Sequence, residues 1–153
     1  MLGTPINGWA EIKIGQEKIG NASYLTDPAM DCLDAFLRYF DTNSFLPFGL
    51  IFDAEGYYFG IMEFADYLYI ADDKTDDDKL NLREINPIDL NLTEYAGHHE
   101  ILTCLAKECV NDIVDNLEGW VHWFTYANET EENLEKRRQE LLSKIKHLKN
   151  YIS

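Results

Sequence analysis

His98, His99, Glu100, Cys104 and Cys109, side chains able to ligate a metal, cluster within one short stretch. On a helix, His98 or Glu100 approaches Cys104, but Cys104 and Cys109 lie five apart, off the i,i+4 register. Structural zinc takes four ligands in spaced pairs, and no second pair is present. The stretch therefore reads as a core Cys109 with surface histidines at a helix start, and no metal or cofactor is expected. Asp53 and Glu55 flank Ala54 as a glycosidase carboxylate pair would, yet acids at hairpin tips are ordinary solvated residues. Ser23, Ser44 and Ser143 lack a nucleophile-elbow context, His122 between Val121 and Trp123 reads as a packed or surface residue, and Gly56 and Gly60 are isolated rather than part of a phosphate-binding loop. No catalytic residue is assigned.

What remains is recognition. Tyr57, Tyr58, Tyr67 and Tyr69 stand beside the acidic run Asp72, Asp73, Asp76, Asp77 and Asp78. The run lacks the glycine and distal Glu of an EF-hand loop, so it does not specify calcium. Aromatic residues with charge nearby are what protein hot spots use, and these nine residues are the expected partner-binding surface.

The charge balance agrees. The chain has 28 Asp and Glu against 13 Lys and Arg, a net −15, yet 13% of its residues are aromatic, which a disordered acidic tail would lack. From Glu129 onward five acids face six bases, so residues 1–128 carry 23 acids and 7 bases, a net −16. A body of one sign repels phosphate backbones and anionic lipid and speeds encounter with basic partners. Nucleic acid and membrane are thus not expected as partners. The longest apolar stretch, Phe45 to Phe52, is interrupted by Pro47 and Gly49 and falls far short of the roughly 20 residues of a membrane helix. The first nine residues show no secretory signal, and three cysteines without paired C-x-x-C spacing suit a reducing compartment, so a cytoplasmic location is expected.

The elements that must position these residues can be read from periodicity. Ala10, Ile12 and Ile14 alternate with Glu11 and Lys13, and a turn over 15–18 leads into Ile19 to Tyr24, a β-hairpin. Asp27 and Pro28 are a helix cap and first turn, followed by the stripe Met30, Leu33, Leu37 and Phe40. Phe45 to Asp53, Tyr57 to Phe64 and Asp66 to Ala71 read as consecutive antiparallel strands, with Tyr67 and Tyr69 opposite Leu68 and Ile70; a further pair is expected around Leu80 to Arg83 and Ile88 to Leu92. Ile101, Leu102, Leu105, Cys109, Ile113 and Leu117 repeat at helical spacing, with Gly119 stopping or bending that helix, while Trp120 to Tyr126 fits either helix or strand. Asn128 with Glu131 has capping-box spacing, and Leu134, Leu141 and Leu148 lie seven apart, a stripe for the sheet or for a twin in a dimer. Together these predict a single α+β domain over 1–153: an antiparallel sheet of about five to six strands, helices mainly on one face, and a long C-terminal helix, as monomer or homodimer.

The Trp-containing strand Trp9 to Ile14, the segment Ser23-Tyr24-Leu25-Thr26-Asp27-Pro28 leading into a helix, and the strands around Phe52-Asp53-Ala54-Glu55-Gly56 resemble small bacterial α+β immunity proteins of polymorphic and contact-dependent toxin systems. The resemblance covers about the first half of the chain. It implies a cytoplasmic inhibitor that binds a cognate basic toxin domain, often a nuclease, and occludes its active site. Two other readings are a small metal-dependent or hydrolytic enzyme built on His98, His99, Glu100 and Asp53, and a homodimeric scaffold joined through the C-terminal helix.

Overall fold

A computed structural model describes residues 1–43, 45–74, 77, 79–124 and 129–153. The strands are β1 (Trp9–Ile14), β2 (Glu17–Ser23), β3 (Gly49–Asp53), β4 (Tyr58–Phe64), β5 (Tyr67–Asp72) and β6 (Asn81–Glu84). The helices are α1 (Pro28–Asp41), α2 (His98–Asp115), α3 (Leu117–Val121) and α4 (Glu131–Ile152), with a 3-10 turn at Pro87–Leu90. The protein is α+β. Among the described residues six antiparallel strands divide into two sheets, the hairpin β1-β2 and the meander β3-β4-β5-β6.

The two sheets meet where Gly20 of β2 lies against the ring of Phe59 on β4. A Cβ at Gly20 would fall 2.6 Å from that ring, so only glycine lets the hairpin sit so close. Beside it, α1 presses on the same sheet face, with the rings of Phe36 and Phe48 5.0 Å apart. The cap and first turn of α1 are as the sequence predicts: Asp27 Oδ1 accepts the N–H of Met30 at 3.3 Å and Pro28 takes the first position. The buried set on α1 is wider than the predicted stripe, because Ala29, Cys32, Leu33, Ala35, Phe36, Leu37, Tyr39 and Phe40 are all buried. This helix packs on β3 on one side and on α2 and α4 on the other.

Helices α1 and α4 run parallel in a seven-residue register. Arg137 bonds Asp27, Lys144 bonds Asp34, and Tyr151 bonds Asp41, each pair separated by 110 positions. Partners at constant separation mean the same chain direction, and steps of seven keep one seam facing over successive turns. The heptad stripe of α4, with Leu134, Leu141, Ile145, Leu148 and Ile152 buried, is therefore used within the chain, against helices rather than against the sheet or a twin.

Four boundaries differ from expectation. Strand β3 starts at Gly49 rather than Phe45, since Pro47 offers no N–H and that of Phe48 goes to the Glu63 carboxylate at 3.0 Å; Phe45 is exposed. The expected strand at Ile88 to Leu92 is instead the 3-10 turn, where the Asn86 side chain accepts from Ile88 N at 3.1 Å and Pro87 holds the first turn. The break after α2 falls at Asn116, whose side chain bonds the Asp112 carbonyl, while Gly119 sits inside α3 with Pro5 against it. The cap of α4 is Thr130, which accepts from Asn133 N at 3.2 Å; the expected Asn128 lies outside the described residues, as does Tyr126, while Trp120 is helical.

The head of the α1–α4 seam is a three-way junction. The Arg137 guanidinium meets both oxygens of Asp27, donates through Nε to the Trp120 carbonyl at 2.9 Å, and lies over the Phe124 ring at 5.3 Å. Nearby, Trp123 Nε1 donates to the Thr26 carbonyl at 2.8 Å. Because both ion partners are mostly buried, Arg137→Ala strands the Asp27 carboxylate. We expect a loss of about 2–4 kcal/mol in denaturant unfolding, against under about 1 kcal/mol for Lys144→Ala at the more exposed rung.

Burial, helped by the charge of Asp27, raises the Asp31 carboxyl above its ordinary 3.8. A raised carboxyl costs nothing below its unfolded value and costs stability as pH rises through its folded value. Asp31→Asn keeps an acceptor for the Asp27 N–H. Thermal unfolding should therefore find that variant more stable than wild type at neutral pH, with the gain vanishing as pH falls toward 3.8.

Candidate functional site

Strand alternation gives the four-stranded sheet two different faces. Leu50, Phe52, Phe59, Ile61, Leu68 and Ile70 point inward and are buried. On the opposite face the register aligns Ile51, Gly60, Ala71 and Leu82 in one row and Gly49, Met62, Tyr69 and Glu84 in the next, with Phe64 opposite Tyr67. That outer face is apolar and open: Ile51 and Phe64 are each 66% exposed, Tyr67 55%, Tyr58 54% and Leu82 48%. A sheet face bearing large apolar groups normally packs on another layer, which makes this exposed one the candidate interaction surface.

The middle of this face is hollowed. Gly60 and Ala71 are small, and Ile51, Tyr58, Met62 and Leu80 rise around them to line a groove of about 400 Å³ with Asp73 at its margin. Gly60 is obligatory there, because a Cβ would lie 1.9 Å from the Leu50 carbonyl oxygen. The charged residues at strand positions of the face, Asp53 and Glu84, are both acidic, as is Asp73 just beyond β5.

Of the predicted partner-binding residues, Tyr58, Tyr67 and Tyr69 share this face. Tyr57 does not: its ring packs on Phe59 at 5.9 Å and is covered by Lys74 at 4.7 Å, on the core side. Asp72 and Asp73 are engaged in the fold. Asp72 Oδ1 accepts from Lys74 N and Asn81 Nδ2, both at 3.0 Å, and Asp73 Oδ1 accepts from Tyr58 N at 2.6 Å, prolonging the strand pairing. Asp77 is exposed, and Asp76 and Asp78 lie outside the described residues.

The residues that suggested chemistry do not converge. Around α2, the His99 Nδ1 meets the Tyr39 hydroxyl at 3.2 Å and its ring lies against Phe40. Cys104 borders Leu90 and Glu108 and Glu100 is exposed. Cys109 is buried beside Cys32, whose thiol is pushed well above its ordinary value by burial and by that neighbouring thiol. Asp53 accepts from Glu55 N at 2.7 Å and so closes the β3–β4 turn, in which Glu55 is left-handed with φ 53° and exposed. His122 is exposed, with Nδ1 2.8 Å from the Glu118 carbonyl.

No family model, curated protein or solved structure matches the chain. Function must be read from this geometry.

Sequence reasoning missed Ile51, Met62, Phe64, Leu80 and Leu82 as companions of the tyrosines. The signal was present as period two in Leu50-Ile51-Phe52 and Met62-Glu63-Phe64, but an apolar run without polar interruption reads as buried on both faces. The two faces should separate by substitution. Chemical denaturation is expected to show Phe59→Ala costing about 3–5 kcal/mol, and Phe64→Ser, five positions along the same strand, within about 1 kcal/mol of wild type.

Proposed function

We propose that this chain is a non-enzymatic binding protein of immunity type, which neutralises a cognate basic toxin domain by covering it with the outer face of its four-stranded sheet. The observation that carries the reading is that face itself: large apolar and tyrosine side chains left exposed in adjacent rows, with the acids Asp53 and Glu84 at its charged strand positions, while Arg83 points to the other face. Tyrosine and phenylalanine supply the desolvating centre of an interface, and the acidic margin steers and registers a cationic partner. The charge of residues 1–128 supports the same partner class and disfavours direct contact with nucleic acid. A nuclease domain suits it, since such domains are basic where they hold phosphate. No helix among the described residues is long and apolar enough to cross a membrane, and free cysteines suit a reducing cytoplasm where inhibitor meets toxin.

The leucine stripe of α4 is buried within the chain, which favours this reading over a scaffold joined through that stripe. The test is isothermal titration of the full chain against the basic toxin domain encoded beside its gene. A 1:1 complex is expected, weakening about tenfold or more as salt rises, with Phe64→Ser/Tyr67→Ser lowering affinity by roughly 100-fold. Asp77→Lys/Glu84→Lys should act mainly on the association rate. Absence of a complex, or affinity untouched by both double variants, overturns the proposal.

A further inference from the structure

Among the described residues, one set of three potential ligands draws together, and it joins residues far apart in sequence: Glu63, Asp66 and His98, whose ligand atoms all lie within 4.8 Å of one another. Glu63 is the penultimate residue of β4, Asp66 sits in the β4–β5 turn, and His98 opens α2. The turn that brings Asp66 back toward Glu63 has both central residues left-handed, Ala65 at φ 51° and Asp66 at φ 67°, the conformation of a tight two-residue hairpin. The Glu63 side chain is only 11% exposed. One of its oxygens, Oε2, accepts the Phe48 N–H at 3.0 Å, which fixes the carboxylate and aims Oε1 at His98 Nε2. That gap is 3.7 Å, too long for a hydrogen bond. It is close to the separation of two ligands that share one ion, since bonds of about 2.0–2.2 Å at tetrahedral angles put neighbouring donors roughly 3.3–3.6 Å apart.

The surroundings have the matching charge. A cavity of about 190 Å³ opens beside the three residues, and the ionisable groups that line it besides tyrosines are Asp66, Glu84, Glu94 and His98, with no lysine or arginine. Glu63 closes the set from the core side. Two carboxylates and a neutral imidazole leave two negative charges for a divalent cation to neutralise. The exposed Asp66 carboxylate has the rotamer freedom to complete the coordination, and the cavity leaves the remaining position open to water. Nitrogen with oxygen donors favours a first-row transition metal over calcium or magnesium, which take oxygen alone.

We infer that Glu63, Asp66 and His98 form a binding site for one divalent transition-metal ion, zinc by its donor set, which ties the β4–β5 turn to the start of α2. The site borders the proposed partner face at Tyr67 and Glu84, but none of its three ligands is assigned to that face, and the inference does not rest on the partner-binding reading. The experiment is calorimetric titration of the full chain with Zn²⁺, with Mg²⁺ as control, followed by thermal unfolding with and without Zn²⁺. One zinc per chain, little response to magnesium and a melting temperature that rises with zinc are expected. His98→Ala should weaken zinc at least tenfold. Glu63→Gln keeps an oxygen for the Phe48 N–H and so preserves the fold while removing the charge, and it should weaken zinc similarly. Cys104→Ser should leave binding unchanged, and Co²⁺ should give visible bands that disappear in His98→Ala. The inference is overturned if zinc does not bind, if His98→Ala binds it as wild type does, or if loss follows Cys104→Ser, in which cases the Glu63–His98 pair is an ordinary polar contact.

Discussion

The parallel seam between α1 and α4 is the constraint on which the rest of the molecule rests. Helix α1 buries a wide apolar face and leaves the stripe Asp31, Asp34, Arg38 and Asp41 toward solvent, with the seam along one flank of that stripe. Its buried face is shared between β3 on one side and α2 with α4 on the other. The helices among the described residues pack on one side of the meander, which leaves Ile51, Tyr58, Phe64 and Tyr67 of the second sheet face exposed. The polar rungs of the seam matter unequally. Arg137 with Asp27 is held among buried groups and joins three helices, whereas the pairs at Asp34 and Asp41 lie in more solvated positions where screening reduces their weight.

The outer face combines features that would be costly without a use. Large exposed side chains in adjacent rows favour aggregation unless charge or shape opposes it. Here the acidity of the body supplies repulsion between copies, and β6, at the edge of the sheet, is polar or exposed at every position. On the proposed reading the same acidity attracts a cation-rich surface, so that solubility and selectivity would come from one property. The acids nearest the aromatic rows are also structural, since Asp53 closes a turn and Asp73 extends a strand pairing. Fold and surface chemistry are thus carried by the same side chains.

Much of the architecture was legible in the chain. The first hairpin, the Asp27-Pro28 helix start, the opposed orientation of Leu68 and Ile70 against Tyr67 and Tyr69, and a long C-terminal helix follow from local periodicity and capping chemistry. Failures arose where tertiary context decides. The heptad of α4 could not reveal its partner, because the complementary spacing of Asp27, Asp34 and Asp41 becomes meaningful only once both helices are known to run in the same direction. Asn86-Pro87 carried a turn signal that the apolar Ile88 and Leu90 obscured. The histidine–cysteine cluster was close in sequence but spread around a helix. Glu63 and Asp66, 35 and 32 positions before His98, reach it only because strands fold back on themselves. Proximity along the chain was a poor guide to shared chemistry in both directions.

The seam also bears on how the chain matures during synthesis. Each acid at the cap or along α1 that anchors a rung waits for a partner 110 residues further on, so the cap carboxylate at first holds only its local bond to Met30 N and one flank of the helix is bare. Local order in the first half can form early, but its closure is deferred until α4 has emerged, which ties the completion of the N-terminal layers to a segment 110 residues further along the chain.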